Sequence, residues 1–230
     1  MKDKLDFNEW WNDFSYQFRN DKDGGYQELT RLITEVKNFS KNKREAFINE
    51  MIQFDNLQLY SCALIAEFGS DDQVGLIRDK ASELINNFSA DIILHEYIKV
   101  LISKYQPSDE SILTKYFIDF QTQSQAYIRV PGELFNIDKS LFLKAFTINI
   151  ERYPIDKLCK EDGLLYMTSH LEALEYLIKN LPFALSKKLK LFTLSKVNHS
   201  FAQHDIRLKN KLMELAYLEQ PANNRINKKD

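Results

Sequence analysis

The sequence predicts an all-α protein, and three observations carry that expectation. Apolar residues recur with a helical period through nearly the whole chain. Helix-capping signatures punctuate those stripes at short intervals. Turn formers are scarce, with only six glycines and five prolines in 230 residues, too few for the frequent turns of a many-stranded β-fold. With 44% apolar and 13% aromatic residues, the chain is long enough and apolar enough to bury a core. About ten helices, each of roughly 12–18 residues, are expected.

Phe7, Trp10, Trp11, Phe14 and Phe18 form the first apolar stripe, with Trp10 at its border. Asp21-Lys22-Asp23-Gly24-Gly25 breaks the chain before Leu29, Leu32, Ile33, Val36 and Phe39. Ser40 is placed to cap a third helix, whose face is Ala46, Phe47, Met51, Ile52 and Phe54. Residues 57–68 are apolar on more than one side, as in a helix sandwiched between others. Gly69 suits the position after a helix end, and Ser70-Asp71-Asp72-Gln73 reads as a capping box opening the next helix. Ser89 is the expected cap of a helix running through Tyr97 and Leu101. Gln106-Pro107-Ser108 stops that helix and starts the one through Ile112, Tyr116 and Phe120.

Residues 122–138 interrupt the rhythm, being polar, then β-leaning, then broken at Pro131-Gly132. Long connections on rigid scaffolds tend to carry contacts. This one offers Tyr127, Arg129 and Glu133 as candidate partner-binding residues. Helices are expected again over 140–153, 163–180, 182–197 and 199–218. Residues 1–220 would form a single all-helical domain, with a flexible tail at 221–230.

Sliding the chain by 38 residues aligns Ser70-Asp71 with Ser108-Asp109, Val74 with Ile112, Leu64 with Ile102, Ala63 with Leu101 and Tyr60 with Ile98. A helical hairpin recurring at about 40 residues is near the HEAT/armadillo period. Gly69-Ser70-Asp71-Asp72-Gln73-Val74 resembles the turn of HEAT repeats that leads into an Asp-x-x-Val helix. Asp205-Ile206-Arg207, with Leu208, Leu212 and Leu215, is similar to their acidic-Val-Arg start. The pattern departs at Gly75, where an Arg should stand, and residues 122–165 fit no repeat. The resemblance covers roughly residues 55–120 and 185–218. It implies antiparallel hairpins stacked as a short α-solenoid, with a concave surface suited to another macromolecule.

Charge is unevenly placed. Residues 1–180 carry 21 Lys/Arg against 29 Asp/Glu, and residues 181–230 carry 10 against 4. An acidic body disfavours a nucleic-acid groove. The basic end, with Lys187, Lys188, Lys190 and Lys196, is a solvated helix face or a contact for an acidic partner. Two cysteines, Cys62 and Cys159, make no disulfide framework and suggest a reducing compartment. Met1–Asp6 has no apolar segment of the secretory kind, and no run is long enough to span a membrane, so a cytoplasmic protein is expected.

No chemistry is encoded in recognisable form. The glycines, at 24, 25, 69, 75, 132 and 163, draw no phosphate loop. The histidines, at 95, 170, 199 and 204, form no HExxH. His170-Leu171-Glu172 resembles the HxE of zinc deaminases but lacks the PCxxC partner. Glu172 and Glu175 share a helix face, as solvated helix charges often do. No cofactor and no metal is expected. The reading is a non-catalytic module that binds another protein through an acidic helical surface, with Asp71 and Asp72 among the candidate contacts. One use of such a surface is that of bacterial immunity proteins, which neutralise a toxin by covering its active site. The alternative is a HEAT-like DNA glycosylase or another nucleic-acid-processing enzyme.

Overall fold

A computed structural model describes residues 7, 10, 24–54, 57–89, 92–124, 128, 130–152, 170–197 and 205–219. Among these, 84% are helical and none lies in a strand. No described helix is long and apolar enough to cross a membrane. The chain forms two compact units, Met1–Leu113 and Thr114–Asp230.

In the N-terminal unit the helices are α1 (Gly24–Lys37), α2 (Lys41–Ile52), α3 (Gln58–Phe68), α4 (Asp71–Asn86) and α5 (Ile92–Ser103). The Gly24-Gly25 pair opens α1, and Asp21 to Asp23 lie outside the described residues. Phe7 and Trp10 are helical and buried. Trp10 therefore belongs to the core and not to the border of its stripe. It meets Phe47 and Tyr60 edge-on, and its indole N–H donates to Glu28 Oε1 at 2.8 Å. Burial works to raise the Glu28 carboxyl, but hydrogen bonds from Arg31 and Trp10 overcome it and hold the group below the usual carboxylate range.

α3 is the centre of this unit. It packs against α1, α2 and α5, and Leu64 and Ile65 are fully enclosed, as a helix apolar on several faces requires. Its final carbonyls are served from α5 and the turn after it. Ser103 Oγ donates to Ala66 O at 3.4 Å and Lys104 Nζ donates to Glu67 O at 3.1 Å. Gly69 follows, but not in the left-handed conformation common after helices, since its φ is −59° and its ψ is 145°. A side chain is excluded for a different reason. A Cβ there would lie 2.6 Å from Ile65 Cγ2 and 2.7 Å from Ile65 O. The left-handed residue is Phe88, with φ 49°. It ends α4 in a Schellman turn, Phe88 N donating to Ile85 O and Ser89 N to Leu84 O.

Gly75, by contrast, sits inside α4 with open space around its missing side chain. Glycine there loses backbone freedom without any steric gain. Gly75→Ala should stabilise the unit by about 0.5–1 kcal/mol, read as a rise in urea midpoint at unchanged slope.

The C-terminal unit contains a π-helical turn (Lys115–Phe120), which follows the short α6 (Glu110–Thr114), then α7 (Gln121–Ser124), α8 (Leu134–Ile137), α9 (Lys139–Arg152), α10 (Leu171–Asn180), α11 (Phe183–Val197) and α12 (Ile206–Ala216). The wider turn brings Tyr116, Phe117 and Phe120 inward together, with Tyr116 and Phe120 stacked at 5.8 Å. The interruption expected over 122–138 is shorter than its sequence suggests. Helix continues to Ser124 and resumes at Leu134. Ile128 and Val130, the β-leaning residues, are buried without forming a strand. A polar chain holds them there, Gln121 Nε2 donating to Asn149 Oδ1 at 2.6 Å and Asn149 Nδ2 to Ile128 O at 2.7 Å. Arg152 closes the end of α7 by donating to the carbonyls of Gln121 and Thr122.

Helix is found within each of the later expected spans, but two start later than expected: α10 begins at Leu171 after a non-helical His170, and α12 at Ile206 after Asp205. α11 packs on α10 and α12 around Leu174, Leu177, Leu189, Phe192, Leu212 and Leu215. Asp205 caps α12, its Oδ1 accepting from Arg207 N at 2.9 Å and Leu208 N at 3.1 Å. The basic end is only partly a solvated face. Lys187 and Lys188 are exposed, whereas Lys196 is 6% exposed, with its ammonium 5.3 Å from the Phe192 ring. Lys190 is half-buried and donates to Leu218 O.

Candidate functional site

The starts of α2 and α4 lie at the same end of the N-terminal unit, and an open groove of about 710 Å³ lies between them. Its lining is Lys41, Arg44 and Glu45 from α2, Phe68 to Ser70 from the α3–α4 turn, and Asp71 and Asp72 from α4. The cause is local in both walls. Ser40 Oγ accepts from Lys43 N at 3.4 Å, which begins α2. Ser70 Oγ accepts from Gln73 N at 3.5 Å while Gln73 Oε1 accepts from Ser70 N at 3.0 Å, the reciprocal capping box that begins α4.

Gln73 also fixes the width of the groove. It is 2% exposed, and its amide nitrogen crosses to α2, donating to Asn49 Oδ1 at 2.7 Å and Glu45 O at 3.2 Å. The groove wall is thus held by a satisfied buried amide, an arrangement that resists opening.

Arg44 and Phe68 supply the contact chemistry. The guanidinium lies 4.9 Å from the Phe68 ring centre, and Nη2 donates to Phe39 O at 3.1 Å. Its Nε is enclosed and has no hydrogen-bond partner among the described residues. Arginine is enriched at binding hot spots, and the ring beneath this one holds its guanidinium in place. Around it the charges are mixed. Glu45 faces Lys41 at 3.9 Å, and Asp71 and Asp72 are exposed in the first turn of α4, where the helix dipole favours them.

Of the candidate residues, Asp71 and Asp72 stand together on this groove. Glu133 belongs to the C-terminal unit, exposed and 3.6 Å from His170 Nε2. Its neighbour Gly132 is required there, since a Cβ would meet the His170 ring at 2.3 Å. Tyr127 and Arg129 lie outside the described residues, as do Trp11, Cys159, His199 and His204. Sequence reasoning missed Lys41, Arg44, Glu45 and Phe68. The usable signal was the pair of serine caps thirty residues apart, which places two helix starts at one end of a hairpin stack.

Two further reactive groups among the described residues are committed elsewhere. Burial pushes the Cys62 thiol up to about 12, so it is neutral in ordinary buffers. Glu175 is engaged by Lys179 at 2.6 Å and Lys211 at 3.4 Å, and the Lys179 hydrogen bond holds its carboxyl below the usual range. Among the described residues no three His, Cys, Asp or Glu side chains cluster as a metal site would need. The acidic and basic parts of the chain fall in different units: Met1–Leu113 has 13 Lys/Arg against 20 Asp/Glu, and Thr114–Asp230 has 18 against 13. No family model, curated protein or solved structure matches the chain.

Proposed function

We propose that this chain is a non-catalytic protein-binding module whose N-terminal groove takes a basic surface of another protein. The observation that carries the reading is the groove itself: an Arg44–Phe68 stack with Asp71 and Asp72 beside it, on a unit of net charge −7. An acidic rim draws a basic partner in, and the stacked pair supplies a desolvated anchor. Two described groups support the non-catalytic part: the Cys62 thiol is neutral and Glu175 is ion-paired.

Within the N-terminal unit the hairpins are read as HEAT-like repeats stacked in a short solenoid. Supporting this, three of the four apolar pairs aligned by the 38-residue shift are buried in both copies, Leu64 and Ile102, Tyr60 and Ile98, Val74 and Ile112, whereas Ala63 is half-buried against a buried Leu101. A free, buried Cys62 fits a reducing, cytoplasmic setting. Neutralising a toxin, in the manner of an immunity protein, is the use in which a groove-bearing acidic module would cover a basic active-site surface.

The test is affinity capture with the full chain at low salt. A discrete basic protein should be retained, and Asp71→Lys with Asp72→Lys should weaken its binding by about tenfold or more. Asp79→Lys with Glu83→Lys, an equal charge change farther along α4 at two exposed positions, should leave it intact. Equal retention by the two variants rejects the groove. Tight binding of duplex DNA would instead move the reading to a nucleic-acid enzyme.

A further inference from the structure

The outward face of α12 is apolar where a solvated helix should be polar. Ile206, Met213 and Tyr217 are 73%, 37% and 68% exposed. With Asn210, also exposed, they follow the spacing i, i+4, i+7, i+11. At 3.6 residues per turn these four fall within an arc of about 60°, along roughly 16 Å of helix. The opposite face of the same helix is already satisfied, with Leu212 and Leu215 fully buried against its own unit. α12 therefore has a second seam that this chain's described residues leave uncovered.

The order of residues along the seam is self-complementary. In heptad terms Ile206 and Met213 take d, and Asn210 and Tyr217 take a. When two such helices pair antiparallel, a faces d: Ile206 meets Tyr217 of the other copy, and Asn210 meets Met213, each twice by symmetry. Arg207 and Glu214 then occupy the flanking e positions, which face one another in an antiparallel pair. One cation and one anion on the same flank become two ion pairs between copies. A parallel pair would lose this match. Both side chains are exposed. Glu214 now holds only Lys211, at 3.1 Å on the same surface, and Arg207 makes no ion pair among the described residues.

The geometry points to a second copy of this chain as the occupant: α12 pairs antiparallel with α12 of another molecule across the Ile206–Asn210–Met213–Tyr217 seam. Asn210 faces Met213 in this pairing and finds no amide partner across the seam, so it weakens the contact and leaves the register to the flanking charges. The contact is short, so the dimer is weak, with a dissociation constant on the order of 10–100 μM.

Sedimentation velocity of the full chain over a concentration series tests this. Mass should rise from monomer to dimer and no further, because a two-fold contact closes. Arg207→Glu alone and Glu214→Arg alone should each weaken dimerisation by about tenfold or more, while the double variant Arg207→Glu/Glu214→Arg restores it to within about threefold. Met213→Glu with Tyr217→Glu should leave a monomer of unchanged far-UV spectrum. A wild-type chain still monomeric at about 1 mM overturns the proposal. So does a dimer indifferent to Met213→Glu with Tyr217→Glu, or a charge reversal that the double variant fails to rescue.

Discussion

Arg78→Ala is expected to lower the unfolding free energy by about 3–5 kcal/mol. Asp109 is fully enclosed, and Arg78 is its ionic partner, with Nε donating to Oδ1 and Nη2 to Oδ2 at 3.3 Å. Nη2 also reaches Gln106 Oε1 at 3.2 Å, and Gln106 N donates to Asp109 Oδ2 at 3.0 Å. The pair thus ties α4 to the turn that follows α5. Removing the cation leaves a carboxylate without water or counter-charge, and that is the costly half to lose. The partner substitution is milder, because Arg78 keeps 22% exposure and can turn to solvent. Urea unfolding of Arg78→Ala, Asp109→Ala and the double variant checks this. The double should lose much less than the singles summed, and additivity would show that the two side chains do not act as a pair.

Leu64→Ala and Leu101→Ala should each cost about 2–5 kcal/mol. Both side chains are fully enclosed, on α3 and α5, which pack against one another. The loss combines transfer of the removed methyl groups with the cavity left between two helices that cannot close on it. Leu59→Ala is the control. It lies on α3 too but is 52% exposed, and its replacement should change stability by less than about 0.5 kcal/mol. Equal losses at Leu59 and Leu64 would mean that α3 is not the helix around which this unit is built.

The helices were legible because their signals are local. Apolar period, the Ser40 cap and the Ser70–Gln73 box each act within four residues, and the structure reproduces all three. What was not legible depends on contacts between distant segments. Asp109 aligns with Asp71 in the 38-residue shift, yet one is enclosed and the other exposed, because only Asp109 has an arginine 31 residues away to neutralise it. Gly69 occupies the position expected of it for a reason that only the approach of Ile65 reveals. The groove had half its residues in view. The acids at the start of α4 stand out in sequence, whereas Arg44 becomes notable only when Phe68 is seen beneath its guanidinium. Lys196 shows the converse, a lysine on a basic helix that the fold draws into its core.

The division of charge between the two units has a colloidal consequence. A formal net charge of −2 would ordinarily mark a weakly charged chain, short of the repulsion that keeps molecules apart. Here it is the residue of −7 in one unit and +5 in the other, so the molecule is a blockwise zwitterion. Its halves attract those of its neighbours in dilute buffer, and added electrolyte screens that attraction over a distance of about 10 Å at 0.1 M. Salt should dissolve this protein where it would leave an evenly charged one indifferent, and its least soluble state is near-pure water close to its isoelectric point of about 6.1.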